Sequence, residues 1–115
     1  MVTFCEEISL DLAEDDAKLK AIAEERLGGD KSSFEITPWI DYYTKIVPKH
    51  SEDRLIVFKP PKTSPLIGCI RVRDKDNTKR TLWDVVSKDR HYIGLVPAGC
   101  QFEAMVVDAK IITPT

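Results

Sequence analysis

The sequence predicts a single α+β domain. Its expected core is a mostly antiparallel sheet of about five strands, packed on one long N-terminal helix and one short helix. Three observations carry this expectation. Residues 12–27 show apolar residues at helical spacing, several other segments alternate or run apolar at strand length, and 115 residues suit one domain. The order strand, helix, strands, helix, strands fits two layouts. One is a ferredoxin-like βαββαβ sandwich with an extra strand; the other is a strongly bent half-barrel wrapped on the first helix.

The first strand is read over residues 2–10. Val2, Phe4, Ile8 and Leu10 point one way, and Thr3, Cys5, Glu7 and Ser9 the other. Glu6 then falls on the apolar side, between Phe4 and Ile8. A carboxylate there is desolvated, or a bulge at Glu6-Glu7 resets the alternation, or Arg54 or Lys110 pairs with it. In residues 12–27 the stripe is Leu12, Leu19, Ile22, Ala23 and Leu27. Asp11 is the expected N-cap with Glu14 three residues on, and Gly28-Gly29 the stop.

Residues 34–47 carry mixed signals. Thr37-Pro38 could cap a short helix, but Ile40, Tyr42, Tyr43, Thr44, Ile46 and Val47 favour strands. The preferred reading is a strand bent at Pro38 that pairs with residues 54–59. Leu55, Ile56, Val57 and Phe58 lie in a row, which marks a central strand covered on both faces. Residues 66–73 alternate again, with Ile70 and Val72 on one face and Cys69, Arg71 and Arg73 on the other. Asp74-Lys75-Asp76-Asn77 is a turn signal. Thr81 is expected to cap a short helix running to about Arg90. Residues 94–99 read as a loop, and 101–112 as a final long strand or hairpin.

Apolar residues make up 43% of the chain and charged residues 31%, with a net charge of −2. That balance excludes a disordered chain and a globally basic nucleic-acid binder. The charge is segregated. Residues 1–30 hold nine acids against three bases, while residues 61–91 hold eight bases against four acids. Three widely spaced cysteines, Cys5, Cys69 and Cys100, argue against a disulfide framework. The first residues lack the basic and apolar regions of a signal peptide, and the apolar runs are far too short to span a bilayer. The expected location is cytoplasmic, with no membrane partner.

The motifs of common chemistries are missing. The chain has no phosphate-cradling glycine loop, no C-x-x-C and no H-E-x-x-H. His50 and His91 are too far apart to advertise a metal site with the cysteines. Cys100 with His91 could form a nucleophile and base, but an inert buried thiol is the preferred reading. No metal and no cofactor is therefore expected. The favoured function is a non-enzymatic interaction module acting through protein contacts or self-association, a homodimer included. Its candidate surface is Trp39, Tyr43, Arg73, Lys79 and Arg80. The alternative is a small-ligand binding protein or small enzyme with a sheet–helix pocket lined by Glu6, Tyr42, Arg71 and His91. RNA binding through the basic strand 71–80 is a further alternative. It is disfavoured because Ile-Gly-Cys-Ile-Arg-Val-Arg lacks stacking aromatics, and Asp74, Asp76 and Asp84 dilute the field.

Overall fold

The structure, a computed structural model, describes residues 5–27, 33–61, 68–73, 80–85 and 90–115, with backbone alone for 80–85. The apolar run in β4 (Arg54–Lys59) is buried on both faces, and Leu55, Ile56, Val57 and Phe58 are all inaccessible to solvent. Both of its edges are taken as well. β7 (His91–Val96) pairs with one and β8 (Gln101–Pro114) with the other, both antiparallel. Around this centre the sheet runs β1 (Cys5–Ile8), β7, β4, β8, β5 (Gly68–Arg73), β6 (Arg80–Val85). β2 (Phe34–Ile36) and β3 (Ile40–Val47) also pair with β8. Two helices, α1 (Leu10–Ala13) and α2 (Asp16–Leu27), pack on one side.

β8 organises the sheet. Met105 has Thr44 of β3 and Cys69 of β5 as partners, while Ala109 has Ile40 of β3 and Phe58 of β4. One edge of β8 therefore carries β3 and then β2; the other carries β5 and then β4. At the changeover sits Val106, with φ of 54°, a left-handed conformation that a β-branched residue resists. The alternation slips there. Phe102 and Ala104 face the same core as Val107, Ala109 and Ile111. β3 slips with it, because Ile40, Tyr42 and Val47 all pack on that core. The result divides the sheet into two halves, β1-β7-β4 and β5-β6, joined along β8 and sharing one core.

That core holds Ile56 and Phe58 from β4, Ile70 and Val72 from β5, and the inward residues of β8. The largest, Phe58 and Phe102, each contribute about 2–3 kcal/mol of apolar burial. A second core lies under the helices, where Ala13, Leu19 and Ala23 meet Leu55, Val57, Ile93, Leu95 and Ile112.

Several expectations are corrected. The sheet has eight strands among the described residues, not about five, because segments read as helix and loop also pair into it. The N-terminal helix is not one long rod. Ser9 caps α1 by accepting from Leu12 N at 3.2 Å, and Asp15 caps α2 by accepting from Lys18 N at 3.2 Å. The break falls between them because the Ala13 carbonyl accepts from the Lys110 ammonium at 3.2 Å. Residues 80–85 form a strand on the free edge of β5, where a helix was expected, so the βαββαβ order does not form. Of the expected loop 94–99, residues 94–96 instead belong to β7 and 97–99 connect it to β8: Gly94 sits between Cys5 of β1 and Ile56 of β4. The expected strand bent at Pro38 is two strands, β2 and β3, on either side of residues 37–39, and their partner is β8 and not 54–59, whose edges are both occupied. The expected turn at 74–77 and the helix stop at Gly28-Gly29 lie outside the described residues. Among the described residues no helix is long and apolar enough to cross a membrane.

The junction leaves no room at Gly68. A Cβ there would lie 2.2 Å from the Val106 carbonyl oxygen and 2.7 Å from Val107 Cγ1. Gly68→Ala should cost about 2–4 kcal/mol in urea denaturation. Val106→Gly should change stability by less than about 1 kcal/mol, because relief of the left-handed strain offsets the lost side chain.

Candidate functional site

Two places gather chemistry, one under the helices and one on the open half of the sheet. The first is centred on Trp39. Three residues, Thr37 to Trp39, stand opposite only two of β8, because Ile36 pairs with Ile112 and Ile40 with Ala109. Pro38 cannot donate to the ladder; Thr37 holds both ends of Ile111 instead, its N–H donating to Ile111 O at 3.1 Å and its hydroxyl accepting from Ile111 N at 2.9 Å. This bulge turns the Trp39 indole toward the helices. Its Nε1 donates to both Glu14 carboxylate oxygens, at 3.1 and 3.2 Å. The Lys59 ammonium lies 4.3 Å from the ring centre and that of Lys110 lies 5.0 Å away. His91 meets the ring edge-on at 6.5 Å.

Glu14, Lys59, Lys110 and Asp16 are engaged with one another or with the backbone inside the cluster. Lys110, 5% exposed, donates to Ala13 O and to Asp16 Oδ1 at 3.0 Å. Lys59 stands 3.7 Å from Glu14. Burial, with Lys59 nearby, pushes the His91 imidazole below its ordinary range against the pull of Glu14. The cluster clamps the helix break onto the sheet. Glu14 and Lys110 were not among the expected site residues, since their partners come from distant segments. Beside it, Asp41 and Asp108 oppose each other across β3 and β8. Burial and Asp41 raise the Asp108 carboxyl, against the pull of Lys59.

The residues expected to line a ligand pocket do not come together. Glu6 shares a face with Ile8, as the alternation implied, but β1 is an edge strand and its carboxylate stays 48% exposed. It pairs with Arg26 of α2 at 3.0 Å, not with Arg54 or Lys110. Tyr42 is buried in the shared core, and His91 lies under the helices beside Trp39. Arg71 is on the far half of the sheet. Cys100 packs in the shared core and His91 on the opposite face of the sheet, so they form no nucleophile–base pair. Burial and Glu6 push the Cys5 thiol up to about 11, which keeps it protonated at neutral pH. No cluster of metal-binding side chains occurs among the described residues.

The second place is the outer face of β3, β8, β5 and β6. Outward residues of β5 are Cys69, Arg71 and Arg73, and those of β8 are Gln101, Glu103 and Met105. On β3, Tyr43 is 73% and Ile46 is 56% exposed, while Tyr42 and Val47 turn inward. Arg73 Nη2 donates to Glu103 Oε1 at 3.2 Å, and Arg71 stands opposite Glu103 in register. Of the expected interaction surface, Tyr43 and Arg73 thus share this face. Trp39 belongs to the first cluster. Arg80 is on β6 with its side chain outside the described residues, and Lys79 lies outside them altogether. α1 and α2 pack on the other half, against β7 and β2. No family model, no curated protein and no solved structure matches the chain.

A buried His91 held neutral makes a signed contribution. Its folded pKa lies below 6.5, so the stability it lends is present above that value and is lost as pH falls through the folded pKa. The difference in Tm between the protein and His91→Gln should be largest at neutral pH and shrink on acidification, read by thermal scans across the histidine range.

Proposed function

We propose that this chain is a non-enzymatic protein-interaction module that binds through β3 and the outer face beside it. One observation carries the reading. Tyr43 and Ile46, both large and apolar, are exposed on the outer side of an eight-residue strand. Among the described residues that strand pairs only with β8, and no other described strand lies on its second edge. An edge strand with exposed apolar side chains is a template for a partner's strand or side chains, and Asp41 and Lys45 are the charges that β3 itself sets beside Tyr43 and Ile46. Tyrosine on an interface contributes large contact area with few rotamers to freeze. The Trp39 cluster supports the same reading, since Glu14, Lys59, Lys110 and Asp16 are engaged with one another or with the backbone.

Residues with this exposure can be changed without loss of fold. Tyr43→Lys and Ile46→Lys should leave Tm within a few degrees of the parent and lower affinity for a captured partner at least about tenfold each. Glu24→Ala on α2 serves as a control that should change neither. Affinity unchanged by both lysine substitutions removes β3 as the binding surface.

A further inference from the structure

We infer that the occupant of this surface is an acidic, extended segment of another protein, with a carboxylate seated at Arg71 and apolar side chains on Tyr43 and Ile46. This rests on the reading of β3 as the binding surface and adds the chemistry of the partner. Charge complementarity is the argument. Arg71 and Arg73 stand two apart on β5, so both guanidiniums emerge on the outer face. Among the described side chains one carboxylate, Glu103, serves that pair, and it bonds Arg73. Arg71 has no carboxylate partner among the described residues, and Arg73 Nε is buried without an acceptor. The row across the sheet reads Ile46, Glu103, Arg71, which is apolar, then acidic, then basic. An extended chain crossing it meets apolar ground at β3 and a cation at β5. Guanidinium groups favour planar, two-oxygen anions such as carboxylates.

The same face disfavours nucleic acid. Glu103 lies in its centre, and Asp41 and Asp108 stand along the β3 border, where a continuous run of phosphates would meet like charge. Tyr43 is the one aromatic on the described part of the face, whereas sheets that bind RNA stack successive bases on several. An acidic peptide avoids both problems, since its charges are spaced and its apolar residues suit Ile46.

The test is selection of displayed random peptides on the whole protein, on Arg71→Glu and on Tyr43→Lys/Ile46→Lys. Peptides selected on the parent should be enriched roughly fivefold in Asp and Glu, with apolar residues interspersed, and should bind more weakly as salt rises. Arg71→Glu should abolish the acidic bias while circular dichroism shows the fold intact. Selection without charge bias, an acidic bias that persists on Arg71→Glu, or no selection at all overturns the inference. Tighter binding of single-stranded RNA than of the selected peptides overturns it too. So does a parent that sediments as a dimer and becomes monomeric on Tyr43→Lys/Ile46→Lys; the occupant is then a second copy. In the unbiased and dimer cases, dependence on Tyr43 and Ile46 leaves the β3 reading standing. Peptides that ignore both residues remove that reading itself.

Discussion

The architecture hangs on a close backbone approach. Gly68 lies against the carbonyl of Val106, and only a residue without a side chain fits there. The approach brings β5 onto the edge of β8 at the point where β4 leaves it. Val106 absorbs the geometric mismatch in a left-handed conformation, and the alternation of β8 slips by one residue. Without the slip, Phe102 and Ala104 would point away from the core that Val107 and Ala109 enter. The strain is offset by burial, because the same slip places both halves of β8 against Ile56, Phe58, Ile70 and Val72.

The two halves of the sheet then meet different fates. The β1-β7-β4 half packs against the helices, and Lys59 and His91 of that half are drawn into the Trp39 cluster. Lys110 reaches the helix break, Glu14 reaches the indole nitrogen, and the charges neutralise one another in place. Such a cluster is costly to disrupt and has little capacity left for a ligand. On the other half, Ile70 and Val72 of β5 enter the shared core, while Arg71 and Arg73 face the other way, toward the side on which Tyr43 and Ile46 of β3 are exposed. Charge and exposed apolar area meet there.

What could be read from the sequence follows the range of the forces involved. β4 was legible because four apolar residues in a row have no other stable home than a covered strand. The inward and outward residues of β5 followed from strict alternation, and Leu19 and Ala23 from helical spacing. Pairing was not legible. Residues 34–47 read as a strand, but its partner lies some sixty residues onward, not across the next turn. Glycines misled at β7, since Gly94 signals a turn locally but is buried between two strands. Thr81 reads as a helix cap, yet the empty edge of β5 recruits that segment. Of the site residues, Tyr43, Arg71 and Arg73 were legible as outward positions on strands. The internal bonding of Trp39 and the pairing of Glu6 with Arg26 were not, because both depend on which element lies opposite.

The position of β8 also bears on how the chain acquires its shape. It is the last strand in sequence and the common partner of β2, β3, β4 and β5. No sheet joining the two halves exists until these residues are in place, and the contacts that close it span long stretches of chain, Phe34 with Pro114 among them. Loop closure is then paid before burial rewards it, which places this domain among slow folders for its size. Until β8 docks, the apolar rows of β4 and β5 lack their shared partner. Exposed apolar rows of that kind are what makes incompletely folded chains prone to misassembly.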